Sequence, residues 1–291
     1  MPRVSLLPTI LREVVGTRSF PREPEPAMLM DDAEQVKAYA DAGRADGLMA
    51  AAYLFHTARI CQVIQGCSDV LDLGCGPATQ LCQVAELNPE IRFRGVDLSA
   101  NMLESAAAHA QAKGLRNVSF MEADITRLDG IESSSVDAVF STLALHHLPS
   151  IGHLEACFSE IARVLRPGGA IYLADFGRLK FLKSVLFFAY MNAKNQPHLF
   201  SLDYERSLRA AFLPEELRAR SAALLPAGVR VFSTFLAPLL VVIQTQAKPH
   251  SGEQKSRLAK MRARLSRRYR ADLDELRLFF RLGGLPDDAF R

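Results

Sequence analysis

Hydrophobic positions between residues 69 and 176 fall into two alternating patterns: short runs of β-branched and apolar residues, and longer amphipathic stretches with helical spacing. This alternation predicts a parallel β-sheet covered by helices. Gly114 is expected to cap the second helix, and Pro167-Gly168-Gly169 to end the third and turn the chain into the fifth strand. The predicted strands span residues 69–73, 91–96, 118–122, 136–141 and 170–174, and the predicted helices span residues 79–87, 100–113 and 151–165.

The flanking segments extend this pattern at both ends. Residues 32–64 have helical spacing that is broken near Gly43 and Gly47, which predicts two helices beside or over the sheet. Downstream, the pattern predicts helices at 181–191 and 204–223, and then strands at 229–235 and 239–246 that would form an antiparallel final pair.

The predicted fold class is therefore α/β, a Rossmann-like seven-stranded doubly wound sheet. It carries an N-terminal helical cap and a basic C-terminal helical extension. We divide the chain into an N-terminal arm at 1–30, a central domain at 31–247 with an insert at 177–225, and the extension at 248–291.

Composition agrees with one globular core and added pieces at its ends. Hydrophobic residues make up 49% of the 291 residues and charged residues 23%, the balance of a soluble globular protein. The five cysteines form no CxxC pair and follow no secretory h-region, which predicts free thiols in a reducing cytoplasm. The longest apolar stretch, 231–243, is shorter than the roughly 20 residues that span a bilayer, so no transmembrane helix is expected.

Positive charge is concentrated in the tail. Residues 248–291 contain 12 Lys and Arg against 6 Asp and Glu, whereas the whole chain has a net charge of only +3. Residues 251–282 have helical spacing and predict one or two helices, with arginines concentrated in the first half. Either a phosphate-binding arm for RNA or a solvated helix explains these arginines. The apolar residues of the second half could dock on the domain or on a second subunit, which makes a homodimer an open alternative.

The central motif is an apolar strand that runs into a glycine turn and then into a helix, Val70-Leu71-Asp72-Leu73-Gly74-Cys75-Gly76-Pro77. Glycines allow backbone N–H groups to approach a ligand closely, and proline is tolerated in the first helical turn. By itself this turn is shared with dinucleotide-binding proteins. Asp72 changes the interpretation, because a carboxylate at the strand end suits a ligand with an ammonium group and not a pyrophosphate. Asp97 ends the next strand at the offset where an acid binds ribose hydroxyls.

Together with later landmarks, these residues resemble the class I S-adenosylmethionine (SAM)-dependent methyltransferases, in particular the small-molecule group that includes the ubiquinone C-methyltransferases. The resemblance covers about residues 35–176. The residues that carry it are Asp72-x-Gly74-x-Gly76, Asp97, Ala123-Asp124-Ile125, Val136-Asp137-Ala138-Val139 with Leu145-His146-His147-Leu148, and Leu165-Arg166-Pro167-Gly168-Gly169.

The resemblance implies SAM as cofactor and assigns residues to its parts. Asp97 is implied to bind the ribose, and Asp124 to accept from the adenine amine. The alternative for each acid is a helix cap or a surface charge. Four residues are implied to line the methionine part, namely Asp72, Gly74, Cys75 and Gly76, three to lie around the adenine, namely Leu98, Met102 and Ile125, and two to face the methyl donor, namely Ser141 and Leu143.

Two histidines follow the fourth strand. A histidine beside a transferable methyl group can act as general base, because its pKa is near neutrality, and His146 is the candidate. The alternative is that His146 and His147 are a pair that packs the loop. Other histidines, among them His109, His153 and His198, are scattered without i, i+4 partners, so no metal site is predicted.

Recognition of the acceptor is expected outside the nucleotide loops. The N-terminal cap and the aromatic insert are placed to provide it, which indicates a hydrophobic or aromatic acceptor, although such a cluster is also typical of an ordinary core. The residues that we predict to contact the acceptor are Gln35, Tyr39, His147, Phe176, Tyr190 and Tyr204.

The predicted function is SAM-dependent methyl transfer to a small acceptor by direct SN2 attack, with proximity and desolvation as the main contributions of the enzyme. If the acceptor is a carbon or a hydroxyl group, a base must remove a proton. Two alternatives stay open: an RNA or protein methyltransferase that uses the basic tail, and a SAM-fold binding or scaffold protein without turnover.

Overall fold

The computed structural model of the protein describes residues 6–18, 20–26 and 47–290. The first of the two predicted upstream helices lies outside these ranges, together with Gln35 and Tyr39. No helix in the described part of the chain is long and apolar enough to cross a membrane.

Seven strands form one sheet in the order β3-β2-β1-β4-β5-β7-β6. The strands are β1 (Asp69–Leu73), β2 (Arg92–Asp97), β3 (Val118–Glu122), β4 (Val136–Thr142), β5 (Leu165–Phe176), β6 (Arg230–Ser233) and β7 (Leu240–Gln244). The first five pair in parallel, whereas β7 is antiparallel to both β5 and β6. The predicted seven-stranded fold with an antiparallel final pair is confirmed.

Ten α-helices flank the sheet in the described residues. They are α1 (Leu7–Val15), α2 (Ala50–Val63), α3 (Thr79–Leu87), α4 (Ala100–Ala112), α5 (Ile151–Val164), α6 (Leu182–Tyr190), α7 (His198–Ala210), α8 (Pro214–Leu224), α9 (Gly252–Arg264) and α10 (Arg267–Leu282).

The sheet separates two hydrophobic cores, because alternate residues of a strand point to opposite faces. Val70 and Tyr172 face the core that contains α2, α3, α4 and both helices of the C-terminal extension. Leu71 and Leu173 face the other core, with α5 and α8. Helices therefore cover both faces, which explains why the central strands β1 and β4 are buried along most of their length, whereas Arg92 and Arg94 of β2 are exposed.

Two predicted boundaries were wrong. The single helix expected at 204–223 is two helices, α7 and α8, separated at residues 211–213. Pro214 opens α8, where its missing N–H costs nothing, and a proline inside a continuous helix would break it. Pro167-Gly168-Gly169 does not connect α5 to a later strand, since β5 already begins at Leu165 and the triplet lies in a register shift against β4.

The C-terminal extension is two helices that belong to the main core. Leu258, Leu273 and Phe280 are buried, and the Phe280 ring stacks on Phe55 of α2 with 5.0 Å between centroids. The apolar half of the tail therefore docks on the domain. Some of its arginines are engaged locally, as in the pair between Arg262 and Asp274 at 2.9 Å.

Residues 20–26 of the N-terminal arm lie against the loop after β4. The Arg22 guanidinium donates to the carbonyl oxygens of His146, Leu148 and Pro149 at 2.6–3.0 Å, and to that of Ala210 at 2.6 Å. This set of bonds fixes the arm between the loop and α7. As a result Glu25, three residues further along, reaches the two adjacent histidines.

Candidate functional site

A cleft of about 980 Å³, part of it open to solvent, lies at the carboxyl ends of β1, β2 and β4. This is the position where ligands bind in doubly wound sheets. Nine of the eleven predicted cofactor residues line the cleft, namely Gly74, Cys75, Gly76, Asp97, Leu98, Met102, Asp124, Ile125 and Leu143. Asp72 and Ser141 do not.

The glycine loop, residues 74–76, lines the cleft. Its backbone adopts a conformation that favours glycine. Gly74 has a φ of +66°, and a Cβ there would lie 2.5 Å from the Cβ of Ala144. Gly76 has a φ of +52°, but a Cβ there would meet no atom within 4 Å, so it would project into open space. The loop thus leaves room for a ligand beside the N-terminus of α3.

Two acids at the cleft wall are oriented by the backbone. Asp97 accepts from the backbone N–H of Gly76 at 2.8 Å and from that of Ser99 at 3.0 Å. Burial raises the pKa of Asp97, although these hydrogen bonds oppose the shift. Asp124 accepts from the backbone N–H and the hydroxyl of Thr126 at 2.8 and 2.7 Å. Both carboxylates are therefore held in fixed directions at the ends of neighbouring strands.

Asp72 lies behind the cleft surface and is 1% exposed. Its Oδ1 has no hydrogen-bond partner among the described residues. Burial raises its pKa well above the ordinary value, and the charge of Asp97 adds to this. Burial, with Asp72 nearby, raises the pKa of Tyr53 to about 12. A buried carboxylate without a donor is a site that a cationic group would complete.

Ser141 has a structural role in this structure. It is fully buried, and its hydroxyl donates to the carbonyl oxygen of Leu73 at 2.7 Å, which ties β4 to β1. Leu143, two residues later, lines the cleft with a φ of +55°, a conformation that costs free energy for a leucine.

The two histidines have different surroundings. His146 is 1% exposed and lies outside the cleft lining; its Nδ1 lies 2.6 Å from Asp175 Oδ1. His147 lines the cleft and shares a hydrogen bond of 2.8 Å with Glu25. Burial lowers the pKa of His147, but the bond with Glu25 outweighs it and leaves the pKa raised. Burial likewise opposes ionisation of Glu25, yet the hydrogen bond from His147 lowers its pKa to about 2.

An apolar pocket of about 740 Å³ adjoins the cleft at Leu143. Two of the predicted acceptor residues, Phe176 and Tyr204, line it. Tyr190 does not; its hydroxyl donates to Glu205 Oε2 at 2.8 Å.

Comparison with known proteins agrees with this geometry. Residues 70–169 match the family model of a methyltransferase domain, and the strand order and the cleft agree with that match. The chain carries a class I SAM-dependent methyltransferase domain. Its relation to the ubiquinone C-methyltransferases in particular stays a prediction.

Relatives share this methyltransferase domain but only part of their length. The trans-aconitate 2-methyltransferase of Azoarcus sp. (strain BH72) is 36% identical over 102 residues, which are 35% of this chain and 36% of the relative. The malonyl-[acyl-carrier protein] O-methyltransferase of Hahella chejuensis is 36% identical over 110 residues, 37% of this chain and 36% of the relative. The chain thus matches little more than a third of these relatives.

A solved structure extends the likeness of the methyltransferase fold beyond the matched residues. The plantazolicin methyltransferase BamL, in complex with a triazolic desmethylPZN analog and SAH, has a TM-score of 0.51 and covers 88% of this chain and 86% of its own. At 17% identity, this likeness establishes the fold alone.

Sequence reasoning missed four residues around the methyltransferase site. Gln80 at the N-terminus of α3 lines the cleft, and His56 of α2 lines the apolar pocket. Glu25 and Asp175 contact the histidine pair. Gln80 directly follows the glycine turn, which is a local signal. The other three come from segments distant in the chain, and no local pattern marks them.

Proposed function

We propose that the protein transfers the methyl group of SAM to a small, apolar acceptor. The observation that carries the proposal is the junction at Leu143, where the cleft with its glycine loop and acids opens onto the apolar pocket. A cofactor in the cleft and an acceptor in the pocket would meet at this residue.

The residues of the cleft fit the chemical groups of SAM. The unpartnered, buried Asp72 suits the ammonium group of the methionine part, because an opposite charge would relieve its desolvation. Asp97 and Asp124 are oriented for the ribose hydroxyls and the adenine amine. Leu98 and Met102 offer apolar surface for the adenine ring.

The acceptor class follows from the pocket walls. Leu143, Phe176, Phe188, Phe200 and Leu240 form apolar walls of the pocket, while polar groups come from His56, Asn192, Gln196, Arg268 and Asp272. It continues into a second apolar pocket of about 870 Å³ that shares three of its apolar or aromatic walls. The shared apolar or aromatic residues are Phe188, Tyr204 and Leu240, and the polar residues Asn192 and Asp272 line both pockets as well. An elongated hydrophobic acceptor would bury more surface here than a compact polar one.

Direct attack of an acceptor lone pair on the SAM methyl group needs no covalent intermediate. The protein then contributes proximity and exclusion of water. His146, the predicted base, is separated from the cleft by its burial, whereas His147 faces it. Of these two histidines, His147 is therefore the one that lies where it can contact a ligand in the cleft.

The cofactor half of the proposal is tested by calorimetry with SAM and S-adenosylhomocysteine. We expect Asp97→Asn to weaken binding of both ligands about 10-fold or more, since it removes charge from a buried hydrogen-bonding position. The matched control is Asp129→Asn, whose side chain is 77% exposed away from the cleft. Absence of binding by the unaltered protein would eliminate the proposal.

The acceptor half is tested with tritiated SAM and a metabolite extract freed of protein and RNA. We expect label in the fraction that partitions into organic solvent. Ala52→Phe fills the apolar pocket from α2 and should abolish this labelling while SAM affinity is retained. Label found only after RNA or protein is added back would instead support the alternative acceptor class.

A further inference from the structure

Three potential metal ligands from two distant segments converge beside the cleft. They are Glu25 of the N-terminal arm and the adjacent His146 and His147, and one ligand atom from each lies within 4.8 Å of the other two. Because Glu25 precedes the histidines by 121 positions, no sequence spacing reveals the cluster. The prediction of no metal site considered only local histidine patterns.

His146 presents an unpartnered ring nitrogen to this cluster. Asp175 Oδ1 lies 2.6 Å from Nδ1, and Asp175 Oδ2 accepts the backbone N–H of His146 at 2.9 Å. A carboxylate can only accept, so Nδ1 carries the proton and Nε2 has its lone pair available. Nε2 is buried and has no hydrogen-bond partner among the described residues. It lies 4.0 Å from Glu25 Oε1, which is too far for a direct hydrogen bond.

Glu25 is held in place to face this nitrogen. Ser207 donates to its Oε1 at 2.9 Å, and His147 lies 2.8 Å from its Oε2. Arg22 anchors the same arm to the carbonyl of His146 and of two residues after it. A buried lone pair and a buried carboxylate that face each other across a gap are both stabilised when an electrophile lies between them.

We propose that Glu25, His146 and His147 bind one divalent transition-metal ion of the zinc class, with Asp175 as the positioning residue for His146. Two imidazoles and one carboxylate are a zinc or iron(II) ligand set, whereas magnesium and calcium prefer all-oxygen sites. Bonds of about 2.0–2.1 Å in a tetrahedron put ligand atoms roughly 3.3 Å apart. The separations of 2.8 and 4.0 Å bracket that value, so small side-chain movements complete the site.

With an ion bound, the contact between Asp175 and His146 would form a carboxylate–histidine–metal arrangement, in which the carboxylate fixes the tautomer and orientation of the histidine ligand. Three protein ligands leave a coordination position open, as in catalytic zinc sites. His147 also lines the cleft, so this position would lie at the cleft wall.

The test is titration of the chelator-treated full-length protein with Zn²⁺ in competition with a chromophoric chelator. We expect one ion per chain. His146→Gln and Glu25→Gln should each weaken binding at least 100-fold, and Asp175→Asn by about 10- to 100-fold. The matched control is His198→Ala, an exposed histidine at the start of α7, which should bind zinc like the unaltered protein.

X-ray absorption of the one-to-one complex identifies the ligands independently. We expect only nitrogen and oxygen neighbours at about 2.0–2.1 Å. Sulfur at about 2.3 Å would assign the ion to cysteines and overturn the proposal, as would a protein that takes up no zinc or a Glu25→Gln variant that binds it unchanged. Glu25 lies in the arm outside the sheet, so Glu25→Gln tests the metal site even if His146→Gln fails to fold. Circular dichroism establishes that the Glu25→Gln variant is folded.

Discussion

Replacing Asp72 with asparagine removes a buried charge and keeps the shape of the side chain. The carboxyl group is 1% exposed, and its Oδ1 lacks a partner among the described residues. Burial raises its pKa, and Asp97 reinforces the shift. The ligand-free protein therefore holds a carboxylate in an unfavourable position that a ligand ammonium group would relieve. We expect Asp72→Asn to stabilise the ligand-free protein and to weaken SAM binding.

The stability effect follows from the cost of an unsatisfied buried polar group, about 1–3 kcal/mol. For a chain of 291 residues, that corresponds to a rise in melting temperature of about 2–5 °C. The pH dependence has a definite sign. Between the ordinary and the raised pKa the folded protein retains a proton on Asp72 that the unfolded chain has already lost, and above the raised pKa it holds the buried carboxylate. The stability from this group is present below the ordinary pKa of 3.8 and is lost as pH rises through the raised pKa. The advantage of the variant should therefore be absent at and below pH 3.8 and should grow as the pH rises from 3.8 towards the raised pKa.

The binding effect follows from the lost hydrogen bond to a charged group, about 1.5–3 kcal/mol, or a 10- to 150-fold weaker affinity for SAM. Calorimetry with SAM and with 5′-methylthioadenosine separates binding of the ammonium group from binding of the nucleoside, because 5′-methylthioadenosine has the nucleoside but no ammonium group. We expect Asp72→Asn to leave binding of methylthioadenosine unchanged, whereas Asp97→Asn should weaken both ligands. Equal losses for the two ligands with Asp72→Asn, or a lower melting temperature, would refute the reasoning.

Three further predictions concern the loop, the extension and the thiols. Gly74→Ala combines a φ of +66° with a side-chain carbon 2.5 Å away, so calorimetry and urea unfolding should record a loss of SAM binding and of about 2–4 kcal/mol. Gly114→Ala, with the same φ but open space, should cost only about 1 kcal/mol and leave SAM binding intact. Phe280→Ala should destabilise the protein in urea by about 3–5 kcal/mol, whereas Leu282→Ala, at 51% exposure, should change little; equal effects would mean that the extension is not part of the core. Maleimide labelling at pH 8, read by mass spectrometry, should reach Cys67 first because the other cysteines are buried, although burial raises even its pKa to about 11.

The segment from β1 to α3 could be predicted from the sequence because its determinants are local. An apolar run followed by Gly74 and Gly76 defines a strand, a turn and a helix start within one stretch of chain. The position of Asp97 relative to the turn followed from the parallel pairing of β1 and β2, since the carboxyl ends of parallel strands meet at one edge. The same reasoning explains why Asp124 lines the cleft.

Other features of the site could not be predicted, because they depend on contacts between distant segments. The roles of His146 and His147 are set by Glu25 and Asp175, which lie 121 positions before the first and 28 after the second. Ser141 was assigned to the methyl donor by the family resemblance, but its hydroxyl donates to the carbonyl oxygen of Leu73 in β1. Periodicity indicated that the residue was in a strand and could not indicate which of two neighbours its side chain would contact.

The same distinction between local and distant contacts bears on the acceptor. Residues 70–169 match the methyltransferase family, and they contribute most of the cleft lining. They contribute only Leu143 to the described lining of the apolar pocket. They contribute none of the described lining residues of the second pocket. Those walls come mainly from α1, α2, α6, α7, α10 and the segments beside β6 and β7, together with Phe176 of β5 and Leu240 of β7. The acceptors named for the relatives therefore do not carry over to this pocket. Substitutions that change acceptor choice without changing SAM affinity should be sought in the N-terminal helices and the C-terminal extension, where Ala52→Phe is the first to make.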